Sequence, residues 1–175
     1  MITREFRESV EKGLGGVVIL AGSGSDEAHI DKLAENLLRY GLAFEVRVAS
    51  EHKQSELVTE LITAYDSLDG PLAYITVAGG VDALSGRASF YSKNPVISCP
   101  PDHPNLTGIG NPSLSSNAYV GRPDNAARFV AQMFSFITSG YATAVREKSL
   151  EKIGNLEGED SKLQGKYAEM QGKVA

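Results

Sequence analysis

The sequence is short of the residues that build covalent or metal frameworks. Its single cysteine, Cys99, excludes an internal disulfide and a zinc site made of several thiolates, and it suits a reducing compartment. Tryptophan is absent and histidine occurs only at 29, 52 and 103. No apolar run approaches the roughly 20 residues that a bilayer crossing needs. The opening "MITREFRESVEKGLGG" lacks the long apolar stretch of a signal peptide. A net charge of −5 over 175 residues argues against a nucleic acid as the main partner. The expectation is a cytoplasmic protein with no membrane or nucleic-acid partner and no bound metal.

What is present is a core. Hydrophobic residues make up 42% of the chain, and they arrive in short apolar runs separated by helical patterns. "VVILA", "FEVRVA", "LAYITVA", "PVISC" and "AYVG" read as strands. Between them, apolar residues recur at helical spacing. Ile30, Leu33, Ala34, Leu37 and Leu38 form one face, ended by Gly41. Leu57, Val58, Leu61 and Ile62 form another, from about Ser55 to Tyr65. The stretch Val81 to Tyr91 can form a helix that Gly86 weakens, and a last helix runs from Asp124 to Ile137. Phe6, Val10 and Leu14 suggest an amphipathic lead-in. Strands alternating with helices predict an α/β fold of three layers, with a doubly wound parallel sheet in the flavodoxin-like order 2-1-3-4-5. The division expected is a domain over 1–140 and a helical tail over 141–175, charged, thinly apolar and broken near Gly154 to Gly158.

In such sheets ligands bind beyond the carboxyl ends of the strands, and three polar connections leave strand ends there. "GSGSD" holds Gly22, Ser23, Ser25 and Asp26 at a helix start. Its glycines let a backbone approach a ligand, and its N–H groups and hydroxyls suit an anion. The alternative is a plain cap by Ser25 or Asp26. "SEHK" holds Ser50, His52 and Lys53. Imidazole exchanges protons near neutrality and an ammonium holds a phosphate or carboxylate; the alternative is an ordinary exposed loop. "AGGVDALSG" offers Gly79, Gly80, Asp82 and Ser85, either as a tight turn or as backbone open to a flat ligand. His29 stands one turn into the first core helix. His103 reads as a loop residue, and Cys99 as a small buried apolar residue.

These stretches, in this order and at these distances, resemble the family of phosphoribosylaminoimidazole carboxylase and N-carboxyaminoimidazole ribonucleotide mutase, over about Val17 to Phe136. "GSGSD" is similar to the family's G-S-x-S-D loop, "SEHK" to its S-A-H-[RK] loop, and "AGGVDALSG" to its segment after the third strand. "PVISCPP" is similar to its fourth strand and "NAARFVAQMFS" to its last core helix. His52-Lys53, "ALSG", His29, "CPP" and the helical tail resemble the branch that uses carbon dioxide directly (class II). Two departures stand out. Glu51 occupies the place of a small alanine, and "GIGNPSLSSNAYVG" replaces the family's S-S-[LI]-x-x-P-x-G loop and is shorter.

The resemblance implies a reversible carboxylation of aminoimidazole ribonucleotide by carbon dioxide, without cofactor, with His52 moving the proton. It places Ser23, Ser25 and Asp26 at the ribose and phosphate, and Ser50 and Lys53 at the phosphate. Gly79 and Gly80 would frame the ring and carboxylate pocket, with His29 near the carbon dioxide or the carboxylate. It also implies a homo-oligomer, typically an octamer. The alternatives are the mutase, a non-catalytic nucleotide-binding paralogue and, more remotely, a flavodoxin-like redox protein.

Overall fold

The computed structural model describes residues 1–102 and 104–171, so His103 and residues 172–175 lie outside it. Helix α1 (Arg4–Glu11) leads into β1 (Gly16–Ala21), a 3-10 turn over Gly24–Asp26 and α2 (Glu27–Arg39). Then follow β2 (Phe44–Val48), α3 (Glu51–Asp66), β3 (Leu72–Val77), α4 (Ala83–Tyr91) and β4 (Val96–Ser98). After a 3-10 turn over Thr107–Gly110 come β5 (Ala118–Tyr119), α5 (Pro123–Phe134) and α6 (Ser139–Gln171).

The strands form one parallel sheet in the order β2-β1-β3-β4-β5, as the sequence predicts. The register places Val17 beside Phe44 on one side and Ala73 on the other. β1 and β3 are buried along their whole length. That explains their unbroken apolar runs, since both faces of a parallel sheet are covered. Side chains alternate between two cores. Val17, Ile19, Ile75 and Ile97 face α2, α5 and the start of α6. Val18, Leu20, Tyr74 and Val96 face α1, α3 and α4. At about 25 cal/mol per Å² of apolar surface buried, these two layers supply most of the drive to fold.

Three local expectations are corrected. α1 ends at Glu11, so Leu14 lies outside the helix and is exposed. Leu38 points to solvent at the edge of the α2 face. The regular part of α3 starts at Ser55, as expected, and the span from Glu51 adds one turn ahead of a kink at Gln54. The Ser50 carbonyl accepts from the N–H of both Lys53 and Gln54, closing a first turn before Gln54 breaks from helical geometry at φ −144°. And α6 is one continuous helix through Gly154 and Gly158. Glycine costs a helix about 1 kcal/mol but removes no hydrogen bond, and the turns before it are already nucleated on the body. There Tyr141 is buried and donates to the Leu14 carbonyl, while the Arg128 guanidinium donates to the Val145 carbonyl and the Ser149 hydroxyl.

No described helix is long and apolar enough to cross a membrane.

Candidate active site

β1 and β3 are neighbours from which the chain winds outward in opposite directions. A crevice therefore opens beyond their carboxyl ends. It holds a cavity of about 390 Å³. One wall is the turn after β1, with Gly22, Ser23, Ser25 and Asp26. The facing wall is Ser50, Glu51 and His52 at the start of α3. The lining is completed by Ala78, Gly79, Val81 and Leu84 after β3, and Asp102 after β4.

The turn after β1 is capped differently from expectation. Ser23, not Ser25 or Asp26, accepts from the Ser25 N–H at 3.1 Å, and the two hydroxyls lie 2.7 Å apart. Asp26 precedes α2 without capping it, so its carboxylate is left to the cavity. The Ser50 side chain likewise caps nothing at the start of α3. Two helix starts thus meet at the crevice, each with polar side chains not used up by capping, an arrangement suited to an anion.

His52 is exposed on the first turn of α3 and lines the cavity. Glu51 beside it is mostly covered. Its Oε1 lies 3.7 Å from the Arg87 Nε. Among the described residues its Oε2, also buried, has no hydrogen-bond partner. Burial pushes this carboxyl above the ordinary range, against the pull of Arg87 and His52. Arg87 is itself held by the Thr59 hydroxyl at 2.8 Å and stacks over the Tyr91 ring at 4.6 Å.

The remaining candidates stand off the cavity. The His29 imidazole donates from Nε2 to the Cys99 carbonyl at 3.0 Å, tying α2 to the end of β4. Burial lowers its pKa, and that hydrogen bond opposes the shift. Lys53 is exposed and not part of the lining. Gly80 sits at φ +67°, which a side chain would disfavour. Its N–H donates to Asp102 Oδ2 at 3.0 Å, and its carbonyl accepts from Asn105 and Thr107. Ser85 is fully buried, with its hydroxyl accepting from Asn111 at 3.0 Å. Cys99 is buried too, its thiol pushed up to about 12 by burial first and Asp124 second, far from a nucleophile's range.

Sequence reasoning missed Asp102, although it follows the end of a strand as the other three loops do. It also missed the floor beneath the cavity. Asp82 accepts from the Ser85 N–H at 2.9 Å and from the Ser98 hydroxyl at 2.5 Å, while its own N–H donates to Thr107 at 2.9 Å. Asn111 and Asn117 both donate to the Gly108 carbonyl at 3.1 Å. The irregular segment after Pro101 is thus bound down by side-chain amides and hydroxyls. Gly86, a weak residue for a helix, is explained as well, because a Cβ there would come within 2.7 Å of Asn111. Among the described residues no three His, Cys, Asp or Glu side chains gather as a metal ion would require.

A family model described as AIR carboxylase matches residues 16–153. The phosphoribosylaminoimidazole carboxylase of Treponema denticola is 36% identical over 153 residues, covering 84% of this chain and 96% of its own. The protein of the same name from Archaeoglobus fulgidus is 35% identical over 153 residues, covering 84% and 80%. The crystal structure of Treponema denticola PurE superposes with a TM-score of 0.80 at 35% identity, over 85% of this chain and 98% of that one. The matched region contains every loop that lines the crevice, and on these grounds the chain belongs to the AIR carboxylase family.

Proposed function

We propose that the protein is a phosphoribosylaminoimidazole carboxylase, joining carbon dioxide reversibly to aminoimidazole ribonucleotide in purine biosynthesis. The observation that carries this reading is the meeting of His52 and the Gly/Ser turn across one cavity at the switch point of the sheet.

The amino group on the imidazole ring makes the adjacent ring carbon nucleophilic, as in an enamine. That carbon attacks carbon dioxide, a carbon–carbon bond forms, and the ring becomes cationic and tetrahedral at the attacked carbon. His52, neutral, takes the proton from that carbon, and the electron pair of the C–H bond restores aromaticity. In reverse, protonated His52 returns the proton and the carboxylate leaves as carbon dioxide. An exposed imidazole that also lines the cavity suits this two-way role, because it reaches both the ligand and solvent. The reaction as written consumes no cofactor.

Ser23, Ser25 and the N–H groups of the α2 start take the phosphate side, aided by Ser50. Lys53, next in the chain to His52, acts from outside the lining as a positive charge towards the phosphate. Asp26 accepts from the ribose hydroxyls. Gly79 leaves the ring room against the β3 turn. Gly80, Ser85 and His29 act from behind this lining by holding its backbone in place. Assembly into a homo-oligomer belongs to the same reading.

The test is decarboxylation of carboxyaminoimidazole ribonucleotide, followed by loss of its ultraviolet absorbance, for wild type and His52→Asn. Turnover by the wild type alone supports the reading. Turnover that instead requires the N-carboxylated isomer and ignores carbon dioxide assigns the mutase. A folded wild type that binds nucleotide but turns over neither leaves a non-catalytic paralogue.

A further inference from the structure

α6 still borders the body through Glu151, Lys152 and Asn155, which share a groove with Asn36 and Arg39 of α2, and every described residue from Leu150 to Gln171 is exposed. The family model stops at residue 153, close to where the helix departs. The family model thus leaves most of the free part of α6 unmatched. A solvated helix that carries Gly154, Gly158 and Gly165 is poorly held by propensity alone. Its apolar residues are not scattered, however. Ile153, Leu156, Leu163, Tyr167 and Met170, each about half exposed, fall on the alternating three-and-four spacing of a heptad seam, with Asp160 at the remaining place. The three glycines all lie off that seam, where a Cβ would meet open space.

We propose that this seam pairs, antiparallel, with the same seam of a second copy of the chain. Two observations select the partner and its direction. A parallel pair would set Asp160 against Asp160 in the middle of the apolar seam, two like charges at a place that tolerates neither. In the antiparallel register Ile153 lies opposite the partner's Met170 and Leu156 opposite the partner's Tyr167. Asp160 lies opposite the partner's Leu163, with its carboxylate already accepting from Gln164 of its own helix at 2.7 Å. The flanks agree. Glu159 and Lys166 lie along the same border, and the antiparallel register brings Glu159 of each copy beside Lys166 of the other, which makes two opposite-charge contacts related by the two-fold axis. Such a pairing is self-complementary and closes at two helices.

Disulfide trapping in the full chain tests this. Cys99 is buried and stays silent. Positions 156 and 167 of one helix lie about 16 Å apart along its axis, too far for a bond within a chain. The double variant L156C/Y167C is expected to form a covalent dimer under mild oxidation, while neither single variant does. K166E should cut the yield severalfold when placed in the double variant, and E159K/K166E should restore it. Cross-linking of L156C with itself would overturn the antiparallel register. No cross-link in the double variant, or no rescue by the charge swap, would overturn the pairing.

Discussion

The rim and the floor of the crevice are built from the same residue types and do opposite things with them. On the floor, Asp82, Ser85, Ser98, Thr107 and Asn111 are joined in hydrogen bonds that fasten the segment after β4 to the turn after β3. On the rim, Ser50 and Asp26 cap no helix, His52 is exposed, and the buried Glu51 Oε2 has no partner among the described residues. Satisfied polar groups define a shape. Groups left free of the protein's own bonds define what that shape can hold, and of those on the rim only the buried Glu51 Oε2 carries a desolvation cost for it.

Substitutions on the two sides should therefore separate activity from stability. The largest effect is expected at His52. His52→Asn should lower decarboxylation by roughly 10²–10⁴-fold, the usual range for a positioned acid–base group, with no change in thermal midpoint. A parallel loss of stability would place His52 among the structural groups and end the contrast. Next comes Asp82→Ala, which removes a helix cap and strands the Ser98 hydroxyl. It should cost about 3 kcal/mol in urea denaturation, and a wild-type midpoint would show the floor to be unimportant. Smaller is Gly22→Ala. Its added methyl meets only ordinary contacts within the fold, the nearest at 3.7 Å, and Gly22 lines the cavity. The expectation is an unchanged midpoint and a KM raised about tenfold.

The smallest effect sharpens the comparison by sign. The folded state raises the Glu51 pKa, so its ionised form opposes folding. That penalty is absent below the ordinary value of 4.5 and develops as pH rises from there through the raised folded value. Glu51→Gln should be more stable than wild type at neutral pH, with the gain shrinking towards acid. Stability curves at both ends of that range decide it, and a gain that grew on acidification would contradict the burial argument.

The strands and their order were legible because burial on both faces writes itself as contiguous Val, Ile and Leu. The three loops of the rim were legible for a related reason, since strand ends can be counted and glycine with serine marks them. The floor was not. Its bonds join Asp82 to Thr107 and Ser85 to Asn111, more than twenty residues apart, and no local period records such a pairing. Gly86 read as a flaw in a helix when it was clearance for Asn111. Nor did the sequence show that His29, placed by the chain near the Gly/Ser turn, bonds through Nε2 to a carbonyl seventy residues away. Position along the chain carried the backbone's course well and the direction of single side chains badly.

The sheet order also sets a timetable. β1 lies between β2 and β3, so residues 16–77 already contain a three-stranded parallel sheet when the rest of the chain is still being made. At that point the nascent protein has its Gly/Ser turn and His52, while the outer edge of β3 waits unpaired for β4. Thr107 and Asn111, which lock the turn after β3, are synthesised later still, and α5, which covers the α2 side of the sheet, follows them. The rim is thus made before the floor that steadies it. The interval between Val77 and Phe134 is when a growing chain shows an open strand edge and an uncovered apolar face, the stage at which it most needs protection from its neighbours.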